Sequence, residues 1–115
     1  MEEVKQCERV QLMSGIKYDK DKQRLAEMII DFQEPLKELC KVWEFGANKY
    51  GKSNWKQLEK GEERYSNALI RHLFAEDINL YDDESSLLHA SHIAFNALAR
   101  LYFIIKQKEV ENGNR

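Results

Sequence analysis

The chain has 115 residues, with one proline, five glycines, two cysteines and 18 lysines and arginines against 20 aspartates and glutamates, a net charge of −2. That length carries one domain with its own core, taken as residues 1–115, and the charge balance leaves no basic surface for a nucleic-acid polymer. Cys7 and Cys40 are too few and too unpatterned for a disulfide framework, which fits a reducing cytoplasm with Cys40 as a buried thiol.

The opening MEEVKQCERV is charged rather than apolar, so it does not read as a signal peptide. Residues 1–13 are weakly amphipathic through Val4, Val10 and Leu12 and suit a short helix. Residues 14–24, SGIKYDKDKQR, hold dense charge without periodicity and read as a basic arm.

Pro35 fits the first turn of a helix whose Leu36, Leu39, Cys40, Trp43, Ala47 and Tyr50 share one face and which stops near Gly51. Residues 52–61 form a polar linker with a conspicuous Trp55. A second helix runs from Glu62 to about Asn79, with Ala68, Leu69, Leu73 and Phe74 to one side. The last extends from about Glu84 to Val110, with Asp82 or Asp83 as its cap. No run alternates as a strand, so the expected fold is all-α, a compact bundle of three to four main helices carrying an N-terminal basic arm.

The last helix poses the functional question. Its nearly apolar run, residues 86–105, is about as long as a membrane span, but His89, His92, Asn96 and Arg100 make a buried helix of a soluble protein the better reading, with no membrane partner. At 100° per residue, Ser85, His89, His92 and Asn96 line up on one edge. Leu87, Ala94, Leu98, Leu101 and Ile105 define the apolar face, and Leu88, Ile93, Phe95, Ala97 and Phe103 the flanks. The polar edge is either a set of core groups satisfied by neighbours or the wall of a pocket. His72, preceded by Arg71, sits mid-helix where it can look across toward His89 or His92. HxxH alone is a weak metal signal, and a hard divalent cation would also need Asp82 or Glu84.

Four stretches in order, GIKYDKDKQRL, FGANKYGKSNW, the central RH and DDESSLLHASHIAFNAL, resemble the phage and bacterial dATP/dGTP diphosphohydrolase N-terminal family, which is related to the MazG-like all-α nucleoside triphosphate pyrophosphohydrolases. The resemblance covers residues 15–101. It implies functional roles for Lys17, Asp19, Lys22 and Arg24 in the arm, for Gly46, Lys49, Tyr50, Asn54 and Trp55, for Arg71 and His72, and for Asp82, Glu84, Ser85, His89, His92 and Asn96. Gln23 stands where that pattern commonly has proline, and Ser86 where it has glycine. The acidic quartet with which MazG-like enzymes hold Mg²⁺ is absent as such, and Glu34 and Glu38 fall opposite the apolar face of their helix.

What this implies is hydrolysis of a purine (deoxy)nucleoside triphosphate to monophosphate and pyrophosphate. The expected roles are metal ligation of Mg²⁺ or Mn²⁺ by Asp82, Glu84, His89 and His92, and chemistry at His72, Glu84, His89 and His92. Nucleotide binding falls to Lys17, Asp19, Lys22, Arg24, Lys49, Tyr50, Asn54, Trp55, Arg71, Ser85 and Asn96. A non-catalytic protein that sequesters a cyclic or modified signalling nucleotide fits the missing quartet as well, and a helical interaction subunit is the third reading. The apolar flanks Phe95, Tyr102 and Phe103 suggest a homo-oligomer. The expected location is the cytoplasm, that of the host cell if a phage encodes the chain.

Overall fold

The computed structural model describes residues 22–113. The helix expected over residues 1–13 and most of the basic arm, with Cys7, Lys17 and Asp19, lie outside the described residues. The rest is an all-α bundle: α1 (Leu25–Asp31), α2 (Gln33–Tyr50), a 3-10 turn (Asn54–Gln57), α3 (Gly61–Glu76) and α4 (His89–Gly113). Among the described residues no helix is long and apolar enough to cross a membrane.

The sequence pattern did not anticipate α1, which is nearly continuous with α2. The Phe32 amide donates to the Met28 carbonyl (3.1 Å) and the Leu36 amide to the Phe32 carbonyl (2.9 Å). The break at Phe32 (φ −101°, ψ 24°) lies where Pro35 offers no N–H to the Asp31 carbonyl and its ring crowds that group. Pro35 thus falls in the first turn of α2, as expected. The other end stops at Gly51, whose φ of 98° only glycine adopts freely while its amide still reaches the Ala47 carbonyl (2.9 Å).

α3 and α4 run antiparallel, in contact from Gly61 beside Phe103, through Arg100 Nε donating to Ser66 Oγ (2.8 Å), to His72 beside His89. Gly61 is buried, and a β-carbon there would collide with the Phe103 ring. That ring is pinned by a stack on Tyr65 (centroids 5.9 Å apart). Trp55 packs edge-on against Phe95 (6.0 Å) and Tyr102 (5.0 Å), and the Tyr65 hydroxyl donates to the Trp55 carbonyl (3.2 Å), tying the 3-10 turn to α3. Phe95, Tyr102 and Phe103, expected to await a partner, are therefore half-buried within the chain.

Four boundaries and faces differ from the sequence reading. α4 starts at His89, not near Glu84, and neither Asp82 nor Asp83 caps it. Residues 80–89 instead close into a hairpin-like loop, in which the His89 amide donates to the Leu80 carbonyl (3.0 Å), Asp82 to Leu87 (2.7 Å) and Ser86 to Asp82 (2.8 Å). The Asp82 carboxylate takes bonds from Ser85 that compete with helix formation, and Ser86 turns the chain in the left-handed region at φ 63°.

The apolar face assigned to α4 points outward, with Leu98, Leu101 and Ile105 exposed at 51%, 49% and 47%. His89, Ser91, Asn96 and Ala99 are the buried residues of that helix. On α3, Leu73 and Phe74 are likewise exposed. On α2, Val42 is the buried residue, while Cys40, expected inside, is exposed and its thiol donates to Glu44 Oε1 (3.6 Å).

Candidate functional site

A cavity of about 410 Å³ opens between the C-terminal half of α2, the 3-10 turn, α3, the 80–89 loop and α4. Its floor is chemical. His72 (α3), Asp82 (loop) and His89 (α4) each place one ligand atom so that all lie within 4.8 Å of one another. His72 Nδ1 is 2.9 Å from His89 Nδ1, so one ring donates and the other accepts, and 4.0 Å from Asp82 Oδ1. His92 stacks flat on His72, with centroids 4.5 Å apart and planes 4° from parallel.

Helical spacing assembles the α4 side of this set, because His89, His92 and Asn96 recur at three and four residues on the buried edge. The loop supplies the rest. Ser85 donates its backbone N–H (2.8 Å) and hydroxyl (2.9 Å) to Asp82 Oδ2, and its oxygen is 2.7 Å from His92 Nε2. Since the hydroxyl proton is committed to Asp82, Nε2 of His92 is the donor in that bond and its Nδ1 is left as an acceptor.

Burial lowers the pKa of His72, reinforced by His92 and opposed by Asp82. Burial also lowers that of His92, against the pull of Asp82. At Asp82, burial pushes the carboxyl up, but the Ser85 amide and hydroxyl, with the two imidazoles, more than reverse this and hold it below its ordinary value. At neutral pH His72 and His92 are therefore uncharged beside the Asp82 carboxylate.

The upper wall is aromatic and cationic: Trp43, Phe45, Tyr50, Trp55, Tyr65 and Phe95, with Lys49 and Arg64. Lys49 pairs with Glu84 and lies over the Tyr50 ring at 5.0 Å from its centroid. A larger depression of about 560 Å³ beside Gly61 is lined by the mixed charges Lys60, Glu62, Glu63 and Lys106 and brings together no comparable set of ligand atoms.

The family model for dATP/dGTP diphosphohydrolase, N-terminal, matches residues 13–113. The chain belongs to that family. This family member is also 34% identical over 104 residues to a protein named dATP/dGTP diphosphohydrolase from Salmonella phage PMBT28, the match covering 90% of this chain and 34% of the relative. The domain thus spans about a third of that relative's length. No solved structure matches it.

Of the residues singled out from the sequence, the family domain brings Lys49, Tyr50, Asn54, Trp55, His72, Asp82, Glu84, His92 and Asn96 to the cavity wall. His89 lies behind it, buried against His72, and Ser85 braces Asp82 and His92. Of the four residues expected to hold a metal, Asp82 and His89 lie together with His72, whereas Glu84 and His92 are not among the converging ligand atoms: Glu84 is exposed and paired with Lys49, and His92 Nε2 is bonded to Ser85.

Lys22 and Arg24 are exposed and do not line the cavity, and Arg24 pairs with Glu27 at the start of α1. Some 25 helical residues, about 35 Å at 1.5 Å each, separate them from Lys49. Arg71 is exposed and off the wall, turned about 100° from its neighbour His72. The sequence reading passed over Arg64, Tyr65, Trp43 and Phe45, all of which line the cavity. Counting back from His72 by fours and threes reaches Ala68, Arg64 and Tyr65, which would have found two of them.

Proposed function

We propose that the domain binds a purine deoxynucleoside triphosphate in the 410 Å³ cavity and hydrolyses it between the α and β phosphates, releasing monophosphate and pyrophosphate. The observation that carries this reading is the convergence of His72, Asp82 and His92 on the wall of a cavity lined by aromatic rings and two cations, with His89 directly behind them. The family's name and that of the phage relative give the substrate class. The aromatic wall offers stacking surfaces for a base, and Lys49 and Arg64 offer charge-assisted bonds to phosphate oxygens. Glu84 holds Lys49 meanwhile, a partner that an entering phosphate displaces.

The donor set fits a divalent metal. Two imidazole nitrogens and a carboxylate oxygen suit a borderline ion such as Mn²⁺ better than Mg²⁺, which prefers oxygen ligands. His72, Asp82 and His89 would hold it, and when bound it would supply stabilisation of the charge that develops on the phosphates. Binding requires the proton shared between the Nδ1 atoms of His72 and His89 to move to an Nε2, and in acid protons compete with the metal for the ring nitrogens, so affinity falls with acidity. His92 keeps a free acceptor nitrogen and stays neutral at pH 7, which suits it to take a proton from the attacking water. Asp82 and Ser85 position that ring.

The test is incubation of the pure protein with dATP and dGTP, each with Mn²⁺, Mg²⁺ or chelator, followed by chromatography of the nucleotides and assay of pyrophosphate. Metal-dependent appearance of monophosphate and pyrophosphate is expected, with kcat/KM reduced on the order of 10²–10⁴-fold in His92→Gln. Recovery of intact nucleotide from a stable complex would replace hydrolysis by sequestration, the reading that the single carboxylate of the cluster favours. Absence of any nucleotide binding would leave a helical interaction subunit.

A further inference from the structure

Lys49 and Glu84 stand 35 residues apart in the sequence and pair across the cavity that both line. Lys49 belongs to the last turn of α2, and Glu84 sits in the 80–89 loop, two residues beyond Asp82. The partners are held differently. The Lys49 ammonium lies over the rings of Tyr50 and Phe45, 5.0 and 5.8 Å from their centroids, which keeps the cation at the wall whether or not a carboxylate meets it. Glu84 has no such support. Its side chain is 61% exposed, while the bonds from Ser85 to Asp82 fix the backbone around it, so the carboxylate turns into water without any change in the loop. An exposed ion pair of this kind exchanges readily for another anion.

The charges near the imidazoles make that exchange consequential. Asp82 and Glu84 put two carboxylates beside a single ammonium at this end of the cavity, where His72 and His92 are uncharged at neutral pH. Arg64, the other cation of the wall, has no carboxylate partner among the described residues, but it lies about 12 Å along α3 from His72. The cation on the imidazole side is thus the one already occupied. Its occupant resembles the ligand, because a carboxylate and a phosphate both offer an ammonium an anionic oxygen for a charge-assisted hydrogen bond.

We infer that Glu84 is an internal competitor for phosphate, which holds on Lys49 the place of a phosphate oxygen and so sets how readily phosphates leave the cavity. This rests on the reading of the cavity as a nucleotide site, and it gives Glu84 a part other than metal ligation or proton transfer. A phosphate that takes Lys49 must first break the pair with Glu84, and a departing one is replaced by the same carboxylate. Every phosphate bound through Lys49 is therefore held less tightly than an unpaired ammonium would hold it. Such a device suits a site that releases its product.

The experiment is calorimetric titration of inorganic pyrophosphate and of dAMP, in chelator, into the full chain and into Glu84→Gln, Lys49→Met and the double variant. Glu84→Gln should bind both ligands about 3- to 10-fold more tightly than the unaltered protein. Tighter binding is a result that a misfolded variant does not imitate. Lys49→Met should bind both more weakly, and in its background the gain from Glu84→Gln should largely disappear, since the contested cation is gone. Unchanged or weaker binding in Glu84→Gln overturns the inference. So does an equal gain in both backgrounds, which would make Glu84 a distant negative charge and not a competitor for Lys49. Either of these results leaves the nucleotide site standing. If neither the unaltered chain nor Glu84→Gln binds pyrophosphate or dAMP, with or without Mn²⁺, the reading of the cavity falls and this inference falls with it.

Discussion

His72 and His92 lie face to face beside a carboxylate, and the balance among burial, neighbouring imidazoles and Asp82 leaves both rings easier to deprotonate than in the unfolded chain. The unfolded state, with ordinary imidazole pKa values near 6.5, therefore binds protons more tightly between that value and the lower folded ones. Stability contributed by these groups is complete above about pH 6.5 and is lost as pH falls through the folded values. Asp82, whose pKa is lowered as well, gives up its contribution only below the ordinary carboxyl value of 3.8. In chelator-treated protein the Tm should drop by about 2–5 °C between pH 7.5 and 5.5, and His92→Gln should flatten that slope. A Tm that is level or rises over this interval contradicts the assignment. Ser86 illustrates a second residue-scale tension, since at φ 63° it holds a backbone conformation costing an L-residue about 1 kcal/mol, where the resembling family pattern has glycine.

At the level of elements, the pairing of α3 with α4 depends on one missing side chain. Gly61 opens α3 directly beneath the Phe103 ring, and that ring cannot swing away because Tyr65 and Tyr102 hold it on two sides. Gly61→Ala gains a few tenths of a kcal/mol at most in helix propensity so near the helix start, and loses about 1–3 kcal/mol to overpacking. Net destabilisation of about 1–2 kcal/mol in urea unfolding is expected. A neutral result would mean that the ring moves freely. The 80–89 loop is the other decisive element: by ending in the Leu80–His89 and Asp82–Leu87 bonds, it carries Asp82 back over the helix pair. A helix starting at Glu84 would have carried Ser85 away along its own axis, with no turn to fold Asp82 onto the imidazoles.

At the scale of the whole molecule, the described residues leave much of their apolar surface uncovered. Among the described residues no large side chain is fully buried, and Leu98, Leu101 and Ile105 of α4 are joined in exposure by Leu25, Met28, Ile29 and Phe32 of α1. A nearly wholly apolar groove of about 310 Å³ runs between Leu36, Leu39 and Trp43 of α2 and Phe95, Leu98 and Ala99 of α4. We propose that a second copy covers these surfaces, as exposed apolar patches of this kind mark association sites. Light scattering at micromolar concentration should give a dimer or larger assembly, and Leu98→Glu with Leu101→Glu should release monomers of lower Tm. A monodisperse monomer of the unaltered chain would reject this proposal.

The three- and four-residue spacing of apolar side chains, with little glycine and one proline, sufficed to give the all-α class and the three long helices, because local hydrogen bonding and periodicity decide those. The same spacing put His89, His92 and Asn96 on one edge and aimed His72 across at them, where the coordinates place it. Which way α4 faces was not legible: amphipathicity argues that leucines go inside, and here the leucines face out while the polar edge faces in. That choice belongs to the packing of α3 against α4. Nor could spacing say that Glu84 would be taken by Lys49 and that Asp82 would join the imidazoles, since both outcomes follow from a loop whose closure depends on contacts distant in the chain. Periodicity acts within a turn or two of helix, whereas a site assembled from three elements exists only once they pack.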